Sequence, residues 1–279
     1  MSNKDSFFLS QFVPIVLTVV IFLFLSLVLF FEIFFLNKAT ATDIVLKLLI
    51  GDILVGMTIY LKTSVDFAIF MGNLMARYPG WKNRVAIETG TAIGNAIGTI
   101  AILALWNVFR NIQWILAIMI IVSSLVLIKL AEEGLEHARQ TDRRFPDWFT
   151  KFVEIFDKTL RKINSINNEI LKYFIPNLTM KPKLNLGFWG LLTASIAVPF
   201  VLGLDNFAGY IPVFTIVNVF GFIIGVFAGH MLLNIALFVS PKRTIVAVKN
   251  PVISVLGSVV FVGLALWGFY EGLKIIFHF

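Results

Sequence analysis

The sequence predicts an all-α integral membrane protein of seven transmembrane helices, with one N-terminal anchor helix followed by a 3+3 inverted repeat. Three observations predict it. The first is composition: the 279 residues are 58% hydrophobic and 14% charged, where soluble domains run at about 45–50% apolar and about 25% charged. The second is a series of unbroken apolar runs, without the alternation over ten-residue blocks that marks a membrane β-barrel. The third is a likeness between the runs on either side of one polar segment. With 29 Phe and no Cys, the chain excludes a soluble enzyme, a disordered protein, a disulfide scaffold, a thiolate metal site and a thiol nucleophile.

A span needs about 20 apolar residues to cross about 30 Å of hydrocarbon. Seven stretches qualify: 12–36, 51–76, 85–108, 113–131, 187–214, 216–240 and 252–277. The first reads as a retained anchor. Its apolar run from Val13 to Phe35 is too long for a signal-peptide h-region, and no small-residue cleavage site follows. In the second, apolar character runs from Ile44 to Met75. Either residues 41–50 lie at the interface or the helix breaks near Lys62-Thr63-Ser64. The chain therefore divides into an anchor and loop (1–43), a first three-helix repeat (44–131), a polar linker (132–186) and a second repeat (187–279). In the linker, Phe149, Phe152, Val153, Phe156, Leu160 and Ile163 recur at helical spacing between charges. That pattern predicts one or two amphipathic helices on the cytoplasmic membrane face, as a solvated linker or a regulatory domain.

Seventeen of the 23 basic residues fall on one side of a seven-span layout. Positive loops stay in the cytoplasm, so the N-terminus is expected inside a cell (plasma) membrane. The formal charge of +7 thus reports topology. Lipid is an expected partner and nucleic acid is not.

The two groups of three spans echo each other. Thr63-Ser64-Val65-Asp66-Phe67-Ala68 in the first corresponds to Gly203-Leu204-Asp205-Asn206-Phe207-Ala208 in the second. The next helix of each carries glycine every fourth residue: Gly90, Gly94 and Gly98, then Gly221, Gly225 and Gly229. Such stripes let another backbone approach closely, within the chain or in a homo-oligomer. Two tandem repeats with an odd number of spans insert in opposite orientations, as in many secondary transporters.

Polar groups inside the spans mark candidate sites, because charge near the bilayer centre is costly. Asp66 follows Lys62 by four residues, so the two make either a neutralising ion pair or a cation or proton site that Lys62 regulates or replaces. Thr63 and Ser64 offer hydroxyl oxygens, and Asn73 extends the stripe. Asp205 lies beside Asn206 and ahead of Gly209 and Pro212, which permit unwinding and free carbonyl oxygens for a hard cation. Glu88, Thr91, Asn95 and Thr99 fall near one helix face, and Glu88, close to the cytoplasmic end, reads either as a residue at the mouth of a pathway or as a simple interfacial charge. His230, one turn before Asn234, is either a hydrogen-bonded structural group or a ligand and proton relay. Asp66, Asp205, Asn206, His230, Thr63 and Ser64 are the candidate metal ligands. Lys62, Asn73, Glu88, Asn95 and Asn234 are candidates for the transport pathway.

Thr63-Ser64-Val65-Asp66, paired with Asp205-Asn206-Phe207-Ala208-Gly209-Tyr210-Ile211-Pro212, resembles the cadmium-resistance transporters of the lysine-exporter (LysE) superfamily. The second motif is the closer match. Where that family carries a second acid in the first motif, this chain has Phe67, and Lys62 adds a positive charge. The resemblance covers about 44–131 and 187–277. It implies a secondary-active exporter of a cation, a divalent metal such as cadmium first among them, with amino acids or another small solute as the alternative. From the residues alone, a non-transporting assembly or anchoring subunit also stands. Gly-x-x-x-x-Gly-Lys-Ser/Thr does not occur, so no nucleotide cofactor is expected and a proton gradient is the default drive. No nucleophile–base pair marks an enzyme.

Overall fold

The computed structural model describes the backbone of residues 3–40, 43–139, 146–171 and 186–277, and their side chains except at 3–11, 137–139 and 200–207. Among the described residues all regular structure is helical: α1 (Asn3–Ala39), α2 (Ile50–Thr63), α3 (Val65–Arg77), α4 (Trp81–Phe109), α5 (Gln113–Arg139), α6 (Asp147–Leu171), α7 (Phe188–Ala208), α8 (Tyr210–Val213), α9 (Val219–Val239), α10 (Pro241–Val248) and α11 (Pro251–Phe277). Five of these, α1, α4, α5, α9 and α11, are long and apolar enough to cross a membrane. The bent pair α2–α3 makes a sixth if it counts as one span, and α7 is apolar over the shorter stretch Phe188–Pro199. Leu23, Phe24 and Phe35 on α1 and Leu266 and Phe277 on α11 are each more than 60% exposed. Apolar surface on that scale belongs against hydrocarbon. The chain has the build of a multi-pass membrane protein.

The long second apolar stretch is interrupted twice. Residues 43–49 form no regular structure. Asn37 pins them to the end of α1, donating to the Ile44 carbonyl at 3.0 Å and accepting from its amide at 2.7 Å. Asn218, which caps α9 by accepting from the Gly221 amide, also donates to the Val45 carbonyl. The predicted break falls at Ser64, where the axis turns by 65° between α2 and α3. The Thr63 hydroxyl donates to the Ile59 and Tyr60 carbonyls, each at 3.1 Å. Hydroxyls bonded back onto a helix compete with its own ladder and favour bends there.

The chain forms two compact units. The first comprises Met1–Ala104, Leu178–Leu204 and Val217–Ala247; the second comprises Leu105–Asn177, Asp205–Ile216 and Val248–Phe279. In the first unit α2 packs along α9, and α1 packs on α9 as well. A Cβ on Gly225 would strike the Ile53 carbonyl, and one on Gly56 the Phe222 carbonyl. A Cβ on Gly90 would lie 2.6 Å from the Leu192 carbonyl of α7, and one on Gly94 would strike the Ile196 carbonyl. Both predicted glycine stripes are therefore contact faces, and the contacts lie within the chain. α7 lies against Gly90 and Gly94, and α2 against Gly225 and Gly229. In the second unit α5 packs along α11, where Gly268 meets Ser124 and Gly272 meets Ile121.

The amphipathic segment forms α6, which packs on α5. Its docked face is Val153, Asp157, Leu160, Asn164, Asn167 and Leu171. Asn167 donates to the Leu125 carbonyl at 2.7 Å, and Asn164 donates to Glu132 at 2.7 Å. Trp148, Ile155 and Ile166, about 70% exposed, point away from α5. These exposed apolar groups lie among exposed charges such as Lys151, Lys158 and Lys162, the mixture of an amphipathic helix at a membrane surface.

Asp157 sits on that docked face beside Glu132 and Glu136. Burial, then the repulsion of those two carboxylates, holds its carboxyl above the usual aspartate range, although Arg161 approaches it at 3.2 Å. An acid raised in the folded state contributes stability at low pH and loses it as pH rises through the raised value. Asp157→Asn is expected to match the wild type at acid pH and to exceed it in melting temperature at alkaline pH. Thermal unfolding in detergent at both pH values checks this; a pH-independent difference would contradict it.

Candidate functional site

In the first unit, α1, α2, α4 and α9 each contribute to one buried polar chain. Glu88, seven residues into α4 and about 10 Å along its axis, has no exposed surface. His230 is 4% exposed and Asn234, one turn on, is fully buried. The Tyr60 hydroxyl lies 2.7 Å from His230 Nδ1, and Asn234 Nδ2 lies 2.9 Å from His230 Nε2. With the amide donating to Nε2, Nδ1 carries the ring hydrogen and the Tyr60 oxygen accepts it. The two rings meet edge-on, at 5.7 Å between centroids and 77° between planes.

Thr18 and Asn234 are the polar side chains beside the Glu88 carboxyl. Yet Glu88 Oε1, Glu88 Oε2 and Asn234 Oδ1 are all buried without a hydrogen-bond partner. The Thr18 hydroxyl spends its hydrogen on the Pro14 carbonyl at 2.9 Å. Glu88 and His230 border a small cavity also lined by Phe22, Leu25, Phe227 and Met231, with room for about one water molecule.

Of the residues singled out from sequence, the structure brings Glu88, His230 and Asn234 together. Thr91 and Thr99 donate to carbonyls of their own helix, at 3.0 Å and 2.8 Å. Asn95 is buried with its Nδ2 unpartnered. Lys62 and Asp66 lie on either side of the turn at Ser64, on α2 and α3. Lys62 is buried near the end of α2, whereas Asp66 is exposed in the first turn of α3, with Asn73 exposed two turns further on. Ser64 is buried at the break and Thr63 is half-buried. Asp205 and Asn206 belong to the last turns of α7, but their side chains lie outside the described residues. Among the described residues, no three His, Asp or Glu side chains are grouped to hold a metal ion.

Sequence reasoning missed Tyr60 and Thr18. Tyr60 reads as an apolar residue of its span, and Thr18 lies in the helix taken as an anchor. No protein-family model matches the chain, and neither a curated protein nor a solved structure matches it significantly.

Proposed function

We propose that this protein is a secondary-active transporter that exports a cation and is built from two inverted three-helix repeats. The observation that supports it is the pattern of helix pairs. The first helix of the first repeat, α2, packs on the second helix of the other repeat, α9. The first helix of the second repeat, α7, packs on the second helix of the first, α4. The third helices, α5 and α11, pack on each other. Exchanging the two repeats maps this set of pairs onto itself. A pseudo-two-fold relation between repeats gives that result, and in membranes it accompanies alternating access to a central site. Counting α2–α3 and α7–α8 as one span each gives seven with α1.

A buried polar chain among transmembrane helices is a functional-site candidate on energetic grounds. A proton gradient is the proposed drive, and divalent metals such as cadmium head the panel of solutes. Orientation provides one test. The chain has no Cys, so single-cysteine variants report cleanly. Thr150→Cys on α6 is expected to react with an impermeant thiol reagent only after the cells are permeabilised, and Asn111→Cys between α4 and α5 in intact cells. Labelling of Thr150→Cys from outside would overturn the orientation. Reconstitution and flux test transport itself.

A further inference from the structure

We propose that Glu88, with Asn234 beside it, is a proton-binding site of this protein, where the driving ion is held during the transport cycle. This rests on the transport function proposed above. The argument is one of missing donors. Three buried acceptor atoms, Glu88 Oε1, Glu88 Oε2 and Asn234 Oδ1, have no hydrogen-bond partner. The Thr18 hydroxyl is committed to the Pro14 carbonyl and one of the two Asn234 Nδ2 hydrogens to His230, which leaves at most the second amide hydrogen for three buried acceptors. Burying acceptors without donors is unfavourable. One proton added to a Glu88 oxygen removes the carboxylate charge and creates an O–H that can donate to Asn234 Oδ1. On release the proton departs and the carboxylate returns, with no other bond made or broken.

A proton fits this place better than a metal ion. One carboxylate and one imidazole border the cavity, with room for about a single water molecule. A hard cation such as Ca²⁺ needs six or more oxygen ligands. The charged and titratable groups around Glu88 are few. α9 presents His230, and α2 presents Tyr60 through His230. On α4 itself, Arg84 lies one turn earlier and directs its guanidinium to the Phe238 carbonyl at 3.4 Å. α1 presents the neutral Thr18, and α7 carries no titratable residue between Phe188 and Pro199. His230, joined to Asn234 on one nitrogen and Tyr60 on the other, fixes the amide's direction and so aims Oδ1.

Infrared difference spectroscopy on the full-length protein in lipid, stepped in pH with no solute added, tests the site directly. The expected result is a protonated-carboxyl band that appears on acidification. It is lost in Glu88→Gln, kept but displaced in Glu88→Asp, and shifted in Asn234→Ala because its acceptor is gone. Glu32→Gln, at the α1 acid whose carboxylate oxygens are also buried without a hydrogen-bond partner, is the control that leaves it in place. A band unchanged in Glu88→Gln would overturn the proposal. So would a Glu88 band that responds to Na⁺ or Cd²⁺ at fixed pH but not to pH, which would make the site one for a metal cation. Should Glu88→Gln fail to fold, an unshifted band in Asn234→Ala overturns it instead. A titrating Glu88 band in a protein that moves no solute would refute transport and leave the site standing. Transport without the band would refute the site alone.

Discussion

Leucine in place of Gly225 is expected to prevent α2 and α9 from packing. A Cβ there meets the Ile53 carbonyl, which is backbone and cannot swing aside. Four added carbons must move one whole helix. Overpacking a close contact costs about 1–3 kcal/mol, occasionally more, and a helix pair held backbone to backbone lies at the upper end. Total stability is only about 5–15 kcal/mol. Gly94→Leu is expected to do the same to α4 and α7, since its Cβ would meet the Ile196 carbonyl and Pro199. Gly263→Leu is the control, as nothing lies within 4 Å of a Cβ at that position. The yield of monodisperse protein in detergent and its melting temperature check this. Equal behaviour of the three variants would show that the stripes are not packing faces.

Glu88→Gln is expected to abolish gradient-driven transport while sparing solute exchange at equal pH on both sides. Glutamine keeps the size and polarity of the side chain but cannot take up and release a proton. A coupled carrier that cannot exchange its driving ion equilibrates solute without concentrating it. The expected loss is the whole of the accumulated gradient, measured as solute uptake into liposomes with and without an imposed pH difference. Full accumulation by this variant would remove Glu88 from the coupling step.

Much of the helical plan was legible in the sequence, because hydrophobic length and glycine spacing act locally. The stripes at Gly90 and Gly94 and at Gly221, Gly225 and Gly229 were readable as close-approach faces; what they approach was not. Spacing within one helix carries no information about its partner, and in the structure the stripes meet α7 and α2. The break at Ser64 was one of two readings of an overlong apolar run, and it puts Lys62 and Asp66 on two different helices. An i,i+4 relation holds only where the helix continues. The candidate site was legible in part. Glu88, His230 and Asn234 stood out as polar residues in apolar spans. That they converge, with Tyr60 and Thr18, depends on how α1, α2, α4 and α9 pack. Glu271 and Lys274, three residues apart on the unbroken α11, pair at 3.8 Å.

Purified protein in liposomes, facing a panel of divalent cations, monovalent cations and amino acids under an imposed pH gradient, gives the most direct measurement of transport. The expected result is accumulation of at least one cation against its own gradient. The accumulation should collapse on adding a protonophore and be lost in Asp205→Asn, which keeps side-chain size but removes the charge that offsets cation dehydration. Folded, inserted protein that moves no member of the panel faster than protein-free liposomes would contradict a secondary cation exporter.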